Sequence, residues 1–396
     1  MGCSSVVSCS SVVVNDQSTK KSTRTNELTD ESKEVYEDNP LRTERKDPIL
    51  IGINDLDGTS YINATIECFS NINELTEYFL NPRSFNPNDS TKKITNVYYE
   101  VLKNLWNEKN NNGSFSLSNF KKVLCAEDPF FARNSSNDPR FLITFLIDRL
   151  NTELNGSNSG KNIQNIKNES DPLDEVKTFK TFLQDYQSKN NPIIACFFYG
   201  IHEMKSKCCT CQTMEFNFQI YSFLEFSLEN INKYFFDIGK RQPLKNQYGS
   251  NPDIDIYECF DYYNRIELMN GDNQKLCNKC GGLRDACYQT LVYSTPYILI
   301  LYLNRGKGGL YMCKVNFYEK LNISKYVIYN EESNDFELFA VIAQYGYDSL
   351  GAHFVAFCKN RIDHDWYLYN DDSVTKCGDR EKYSGVIPFF LFYKRK

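Results

Sequence analysis

The hydrophobic residues of this chain change their period part-way along it, and few folds accommodate both halves of such a pattern. After Ser60, the residues Ile62, Ile66, Phe69, Ile72, Leu75 and Phe79 recur at helical spacing. A second helical stretch begins at Pro139 and carries Phe141, Leu142, Phe145, Leu146, Leu150 and Leu154 on one side. Proline suits a first helical turn because its missing N–H would have no partner there. Residues 155–170, rich in Asn, Ser and Gly, have no period and read as a surface insertion. Beyond them the runs 193–199, 216–228, 297–303, 336–345, 353–358 and 387–393 are β-branched and aromatic, bounded by Gly, Pro and Asn, which is the signature of strands. Helices first and strands later predict an α+β protein whose parts pack against each other, with the cleft between them as the natural place for a site. Residues 1–47 have little apolar pattern and read as a disordered leader.

Composition narrows the partners. A chain of 396 residues can bury a sizeable core, as one large domain or two closely packed ones. A net charge of −6 with no clustered basic face argues against nucleic acid. No apolar run is long enough to cross a bilayer, and no basic segment leads into an apolar one at the N-terminus, so the expected location is cytoplasmic or nuclear. Fifteen cysteines in a reducing compartment are buried, metal-bound or reactive and do not form a disulfide framework. Met1-Gly2-Cys3 begins like a myristoylation signal, although Val6 stands where a hydroxyl is usual. Cys3 and Cys9 offer a second, palmitoyl anchor for peripheral membrane association; the plain alternative is a Ser/Val tail.

Three groups of residues carry chemistry. Histidine is scarce, so any imidazole base is His202, His353 or His364. His353 opens a strand, and the aromatic segment Trp366-Tyr367-Leu368-Tyr369-Asn370-Asp371-Asp372 follows; a hairpin returns Asn370 beside His353, where it can orient the ring. Two Cys-x-x-Cys pairs in turn-like settings, Cys208/Cys211 and Cys277/Cys280, fit a closed, structural tetrahedral zinc site that staples two distant hairpins. Cys209 lies inside the first pair as an alternative ligand or a bystander. Gly58-Thr59-Ser60-Tyr61 starts a helix, and a helix N-terminus is a good seat for a thiolate, but a hydroxyl occupies it. Read alone, Thr59 or Ser60 is an N-cap.

Together these segments resemble the ubiquitin-specific proteases, papain-like deubiquitinases built as thumb, palm and fingers. Residues 52–67, Gly-Ile-Asn-Asp-Leu-Asp-Gly-Thr-Ser-Tyr-Ile-Asn-Ala-Thr-Ile-Glu, are similar to that family's G-L-x-N-L-G-N-T-C-Y-M-N-S-x-L-Q box. Asn137-Asp138-Pro139-Arg140-Phe141-Leu142 looks like its Q-D-A-x-E-F-L box shortened by one residue, and residues 297–305 like its P-x-x-L-x-x-x-L-x-R strand. Gly351-Ala352-His353-Phe354-Val355-Ala356-Phe357 resembles its histidine box, and residues 366–374 its W-Y-x-F-N/D-D-x-x-V box. With the two cysteine pairs, which are similar to that family's finger zinc ligands, the six matches fall in the family's order.

The resemblance implies a leader (1–47) and one domain over about 48–394, with a helical thumb to about 185 and palm and fingers from about 186. It implies ubiquitin or ubiquitinated proteins as partners, zinc in the fingers, His353 as general base, Asn370 as its orienting residue and Asp371 as an auxiliary acid. Ser60 then stands at the nucleophile position and Asp55 at the oxyanion Asn. A hydroxyl cannot populate a thiolate–imidazolium pair, and an ionised carboxylate offers an oxyanion no donor. The expectation is a ubiquitin-binding pseudoenzyme. An active deubiquitinase and a scaffold that does not bind ubiquitin are the alternatives.

Overall fold

A computed structural model of the chain describes residues 47–111, 113–132, 138–155, 174–241, 251–309, 311–329, 332–348, 351–378, 383 and 385–396. The expected leader (except Asp47), the acylation signal, Asn137 and nearly all of the expected insertion lie outside the described residues. The chain runs β1 (Gly52–Ile53), α1 (Ser60–Ser70), α2 (Asn73–Leu80), α3 (Lys93–Leu105), β2 (Ser114–Phe115), α4 (Ser118–Glu127), α5 (Pro139–Asn155), α6 (Glu175–Lys189) and α7 (Pro192–Phe198). Then come β3 (Gly200–Cys208), β4 (Met214–Tyr221), β5 (Leu224–Ser227), α8 (Leu228–Asp237), β6 (Ile254–Asp255), α9 (Ile256–Tyr263), β7 (Glu267–Met269), β8 (Lys275–Cys277), β9 (Gly282–Arg284) and β10 (Ala286–Ser294). The remainder is β11 (Ile298–Asn304), β12 (Val315–Asn316), β13 (Lys320–Asn322), β14 (Asp335–Asp348), β15 (Gly351–Lys359), β16 (Trp366–Asn370), β17 (Ser373–Lys376) and β18 (Ile387–Arg395).

The main sheet has the order β17-β16-β15-β14-β18-β11-β5, with β13 also on β14. Its strands are buried on both faces. Ile298, Ile300 and Tyr302 join Phe354, Ala356 and Cys358 in a core under α1, α3 and α5. The alternate residues Leu299, Leu301 and Leu303, with Val355 and Phe357, join a second core under α8 and α9. Alternation of side chains along a strand sends neighbours to opposite faces. A smaller sheet, β4-β3-β10-β7, carries the Cys208/Cys211 turn between β3 and β4, and the separate β8-β9 hairpin carries the Cys277/Cys280 turn. This is the α+β, papain-like arrangement of helical thumb, palm sheet and fingers that the residue pattern and the boxes predict.

Three of the expected elements differ. Residues 193–199 form helix α7 and not a strand, because the Asn191 side chain accepts N–H groups from Ile193 at 3.0 Å and Ile194 at 3.3 Å, with Pro192 in the first turn. Burial of the run hides its period. The stretch 216–228 is also not one strand. It breaks at Ser222-Phe223 into β4 and β5 and ends where α8 starts. The helix after Ser60 stops at Ser70, where the backbone N–H (3.2 Å) and Nδ2 (2.9 Å) of Asn71 both donate to the Glu67 carbonyl.

Helix α1 positions the site, and every one of its residues is buried. A helix apolar on all sides belongs in a core, yet α1 carries Glu67 there, near Tyr369 and Cys358. Its Oε1 has no hydrogen-bond partner among the described residues. Burial pushes its carboxyl well above the ordinary 4.5. The folded chain therefore holds a proton that the unfolded chain releases, and stability is full below pH 4.5 and drains as pH rises. Glu67→Gln, which restores the residue of the family box, is expected to stabilise the protein at pH 7 to 8 by about 1–3 kcal/mol. In urea unfolding at a series of pH values the gain should shrink towards zero near pH 4.5; a gain independent of pH would show that the carboxyl is not its source.

Candidate active site and metal centre

Ser60 is the first residue of α1 and is buried. Its Oγ accepts the backbone N–H of Phe354 at 3.2 Å, which ties the head of the helix to β15 next to His353. On β15, His353 Nε2 lies 2.6 Å from Asn370 Oδ1 and 3.9 Å from Asp371 Oδ2. An amide oxygen only accepts, so Nε2 carries the hydrogen and Nδ1 the lone pair of the neutral ring. The hairpin reading holds: β15 pairs antiparallel with β16, Ala356 opposite Tyr369, and this brings Asn370 to the imidazole.

Asp371 sits in the two-residue loop between β16 and β17 with φ 52, a left-handed conformation that Asp tolerates. Burial raises its carboxyl, opposed by a 2.8 Å hydrogen bond from Asn63 Nδ2 and by attraction to His353; Asp55 and Asp372 add to the rise. Gly52 makes the loop's position attainable. A Cβ there would lie 2.5 Å from the Asp372 carbonyl oxygen, while the next N–H, of Ile53, donates to Asp371 O at 2.9 Å. Both Asn63 and Gly52 stand in the box around Ser60; their roles as props of Asp371 were not read from the sequence, although their places in that box were the signal.

Asp55 is exposed at the edge of the site, with its carboxylate folded into its own turn. Oδ1 accepts from the Thr59 N–H at 2.8 Å and from the Thr59 hydroxyl at 3.1 Å, and Oδ2 accepts from the Gly58 N–H at 3.3 Å. Asp57 (φ 54) and Gly58 (φ 84) turn the chain so that this is possible. The carboxylate thus takes up two backbone donors just ahead of Ser60 and supplies none.

The other histidines lie elsewhere. His202 stacks on Tyr221 and lies 2.9 Å from the Tyr263 hydroxyl, and burial pulls it down to about 4. His364 lies in the turn between β15 and β16. A cavity of about 870 Å³ lined by Arg305, Cys313, Lys314, Tyr318, Leu338 and Tyr383 borders the core under α8 and α9, so it is no part of this cleft.

At the tip of the smaller sheet, the sulfurs of Cys208, Cys211, Cys277 and Cys280 all lie within 4.8 Å of one another. The two turns are alike. Gln212 (φ 59) donates its N–H to Cys208 O, and Gly281 (φ 66) donates to Cys277 O, both at 2.9 Å. Each turn therefore presents two sulfurs on one side. Tetrahedral metal–sulfur bonds of about 2.3 Å put sulfurs about 3.8 Å apart; Cys211 and Cys277 are at 3.6 Å. Hydrogen bonding by Thr213 holds the Cys211 thiol down to about 6, which favours the thiolate a metal requires. The residues fit a metal ion, and four sulfur donors leave no open position for substrate.

A family model described as ubiquitin carboxyl-terminal hydrolase matches residues 51–393. Similar proteins include ubiquitin carboxyl-terminal hydrolase Usp2 of Drosophila melanogaster, 22% identical over 385 residues that cover 95% of this chain and 38% of that protein. Ubiquitin carboxyl-terminal hydrolase 2 of Homo sapiens is 22% identical over 357 residues, 87% of this chain and 55% of that one. Ubiquitin carboxyl-terminal hydrolase 21 of Homo sapiens is 22% identical over 367 residues, 87% and 61% respectively. The chain spans about half the length of these relatives. With the boxes, the fold and the family match in agreement, the chain belongs to the ubiquitin carboxyl-terminal hydrolase family as a member of the ubiquitin-specific protease type.

Proposed function

We propose that this chain recognises ubiquitin or ubiquitinated proteins through the scaffold of its family, while hydrolysis is lost or strongly impaired. The observation that carries this reading is the Ser60 hydroxyl at the head of α1, where the family has its thiol. An ordinary thiol has a pKa near 8.5, and a helix N-terminus and an imidazole bring it into the range of a thiolate at neutral pH. A hydroxyl has no such state, so attack would need full general-base deprotonation together with a strong oxyanion hole. The conformation of Asp55 works against that hole, since its carboxylate engages two N–H groups instead of offering donors. Loss of one oxyanion donor alone costs about 10²–10³ in rate.

A second reading has its own support. In an active deubiquitinase His353 would be the base, Asn370 its orienting partner and Asp371 the auxiliary acid, and their arrangement is the one such a base needs. For the fingers we assign zinc, since four converging thiolates in two matched turns suit a closed structural site. On this reading the protein works in the cytoplasm or nucleus, with peripheral membrane attachment if the N-terminus is acylated.

Ubiquitin titrated onto the purified protein is expected to bind, and a ubiquitin bearing a C-terminal electrophile to form no adduct. Ser60→Cys should then give adduct and slow cleavage of a ubiquitin chain, and adding Asp55→Asn should raise that rate by about 10²–10³. Wild-type protein that releases ubiquitin at an ordinary enzymatic rate, and loses this on Ser60→Ala, would end the pseudoenzyme reading; absence of binding would leave a scaffold.

Metal analysis should find about one zinc per chain, and removal by a strong chelator should lower the melting temperature by several degrees, as Cys277→Ser does. An unchanged melting curve after chelation would rule out a structural role for the ion.

A further inference from the structure

The cavity of about 870 Å³ beside the core under α8 and α9 has a buried cation in its wall. Arg305 directly follows β11, lines the cavity and is only 1% exposed. Its Nε donates to Pro388 O at 3.2 Å, and its Nη1 donates to Tyr311 O at 3.3 Å and to Cys313 O at 2.9 Å. All three acceptors are main-chain carbonyls. Among the described residues Nη2 makes no hydrogen bond, and no carboxylate forms an ion pair with the guanidinium. The Phe389 ring, 5.8 Å from the guanidinium carbon, offers a weak cation–π contact. Burial pulls the group below its ordinary range, and the charge that opposes this is the Cys313 thiol's, not a carboxylate's. A buried cation without a counter-ion is costly, and a guanidinium is shaped for the oxygens of a carboxylate.

The other charged residues of the wall, Asp253, Lys314 and Glu319, are exposed, so water and salt screen them. Phe317, Leu338, Val386 and Pro388 make much of the rest of the wall apolar. Small-molecule sites have this size and this make-up, an apolar enclosure with one or two placed polar groups. We propose that the cavity binds a small organic carboxylate, with its carboxylate on Arg305 Nη2 and its apolar body against Phe317, Leu338 and Val386. A neutral ligand leaves the guanidinium without a counter-ion. A compact, strongly hydrated anion such as inorganic phosphate gives up more water than one guanidinium and an apolar wall repay. The inference is independent of whether Ser60 supports hydrolysis, since no residue of the cavity belongs to the cleft around His353.

The test uses the full chain with naphthylacetate, a carboxylate on an aromatic body, beside its neutral amide, naphthylacetamide. Calorimetric titration is expected to show one molecule of the acid bound per chain and about tenfold or more weaker binding of the amide, the worth of one charge-assisted hydrogen bond. Val386→Trp fills the cavity and leaves Arg305 in place; it should lose the acid while its melting curve shows a folded chain. Arg305→Gln should bind acid and amide alike. Should either variant fail to fold, the comparison of acid with amide on the wild-type chain still decides the role of the charge. Lys314→Ala, at the exposed rim, should change the affinity by less than about threefold. Acid that does not bind at about 1 mM, that binds no tighter than the amide, or that binds folded Val386→Trp as well as wild type overturns the proposal.

Discussion

Every part of the site depends on how α1 is buried. The helix is enclosed on all sides, and Ser60, Asn63 and Glu67 follow one another along it at three- and four-residue steps, which puts them on a common face. Ser60 reaches the β15 backbone at Phe354, Asn63 reaches Asp371 beyond β16, and Glu67 lies near Cys358 and Tyr369. Two neighbouring strands, β15 and β16, and the loop that follows them are thereby indexed to one helix. The helix cannot turn without exposing apolar surface on another side, so packing sets the site's geometry before any chemistry is asked of it. For the same reason chemistry can change while geometry stays. Serine is close to cysteine in size, and Asp55 finds hydrogen-bond partners within its own turn, so neither residue disturbs the core.

The electrostatics of the site have shifted as a consequence. In a thiol enzyme the imidazolium has the thiolate at one nitrogen and an orienting hydrogen-bond acceptor at the other. Here the Ser60 side is neutral, and the negative groups gather on the Nε2 side, where Asp371 faces His353 and Asp55 and Asp372 face Asp371. Burial and these neighbours act on Asp371 in the same direction, and only Asn63 and His353 oppose them. A proton in this cluster is drawn towards the carboxylates and away from the place where a leaving group would need it. His353, Asn370 and Asp371 lie together, next to a helix head that carries a hydroxyl and no ionisable thiol.

Much of this was legible in the residues because the signals were local. His353 at a strand start and Asn370 at the end of the next aromatic run meet by a single hairpin, and each Cys-x-x-Cys turn is fixed by a left-handed residue directly after it, Gln212 or Gly281. The features that escaped depend on tertiary context. Residues 193–199 are β-branched and aromatic, but the deciding feature is the Asn191-Pro192 start, which outweighs strand propensity once both faces are buried. Gly52 acts through a carbonyl more than three hundred positions away, and the spending of Asp55 on its own turn depends on the left-handed backbone at Asp57 and Gly58. The boxes name these residues and do not say what each one touches.

The fingers have little buried surface of their own. The small sheet's own apolar cluster is Phe179, Ile201 and Phe218 with a few flanking rings, while Leu268, Leu276 and Leu283 are all more than half exposed. So little buried surface cannot order a sheet that projects from the body. The cluster at its tip joins Cys211 to Cys277 across 66 positions, a span that includes α8 and α9 packed under the main sheet. A metal ion held there would close a loop of that length and remove conformational freedom that the sparse local core does not. The cysteine cluster and the head of α1 are separate arrangements, one of turns between strands and one of a buried helix, and positions 55 and 60 belong to the second.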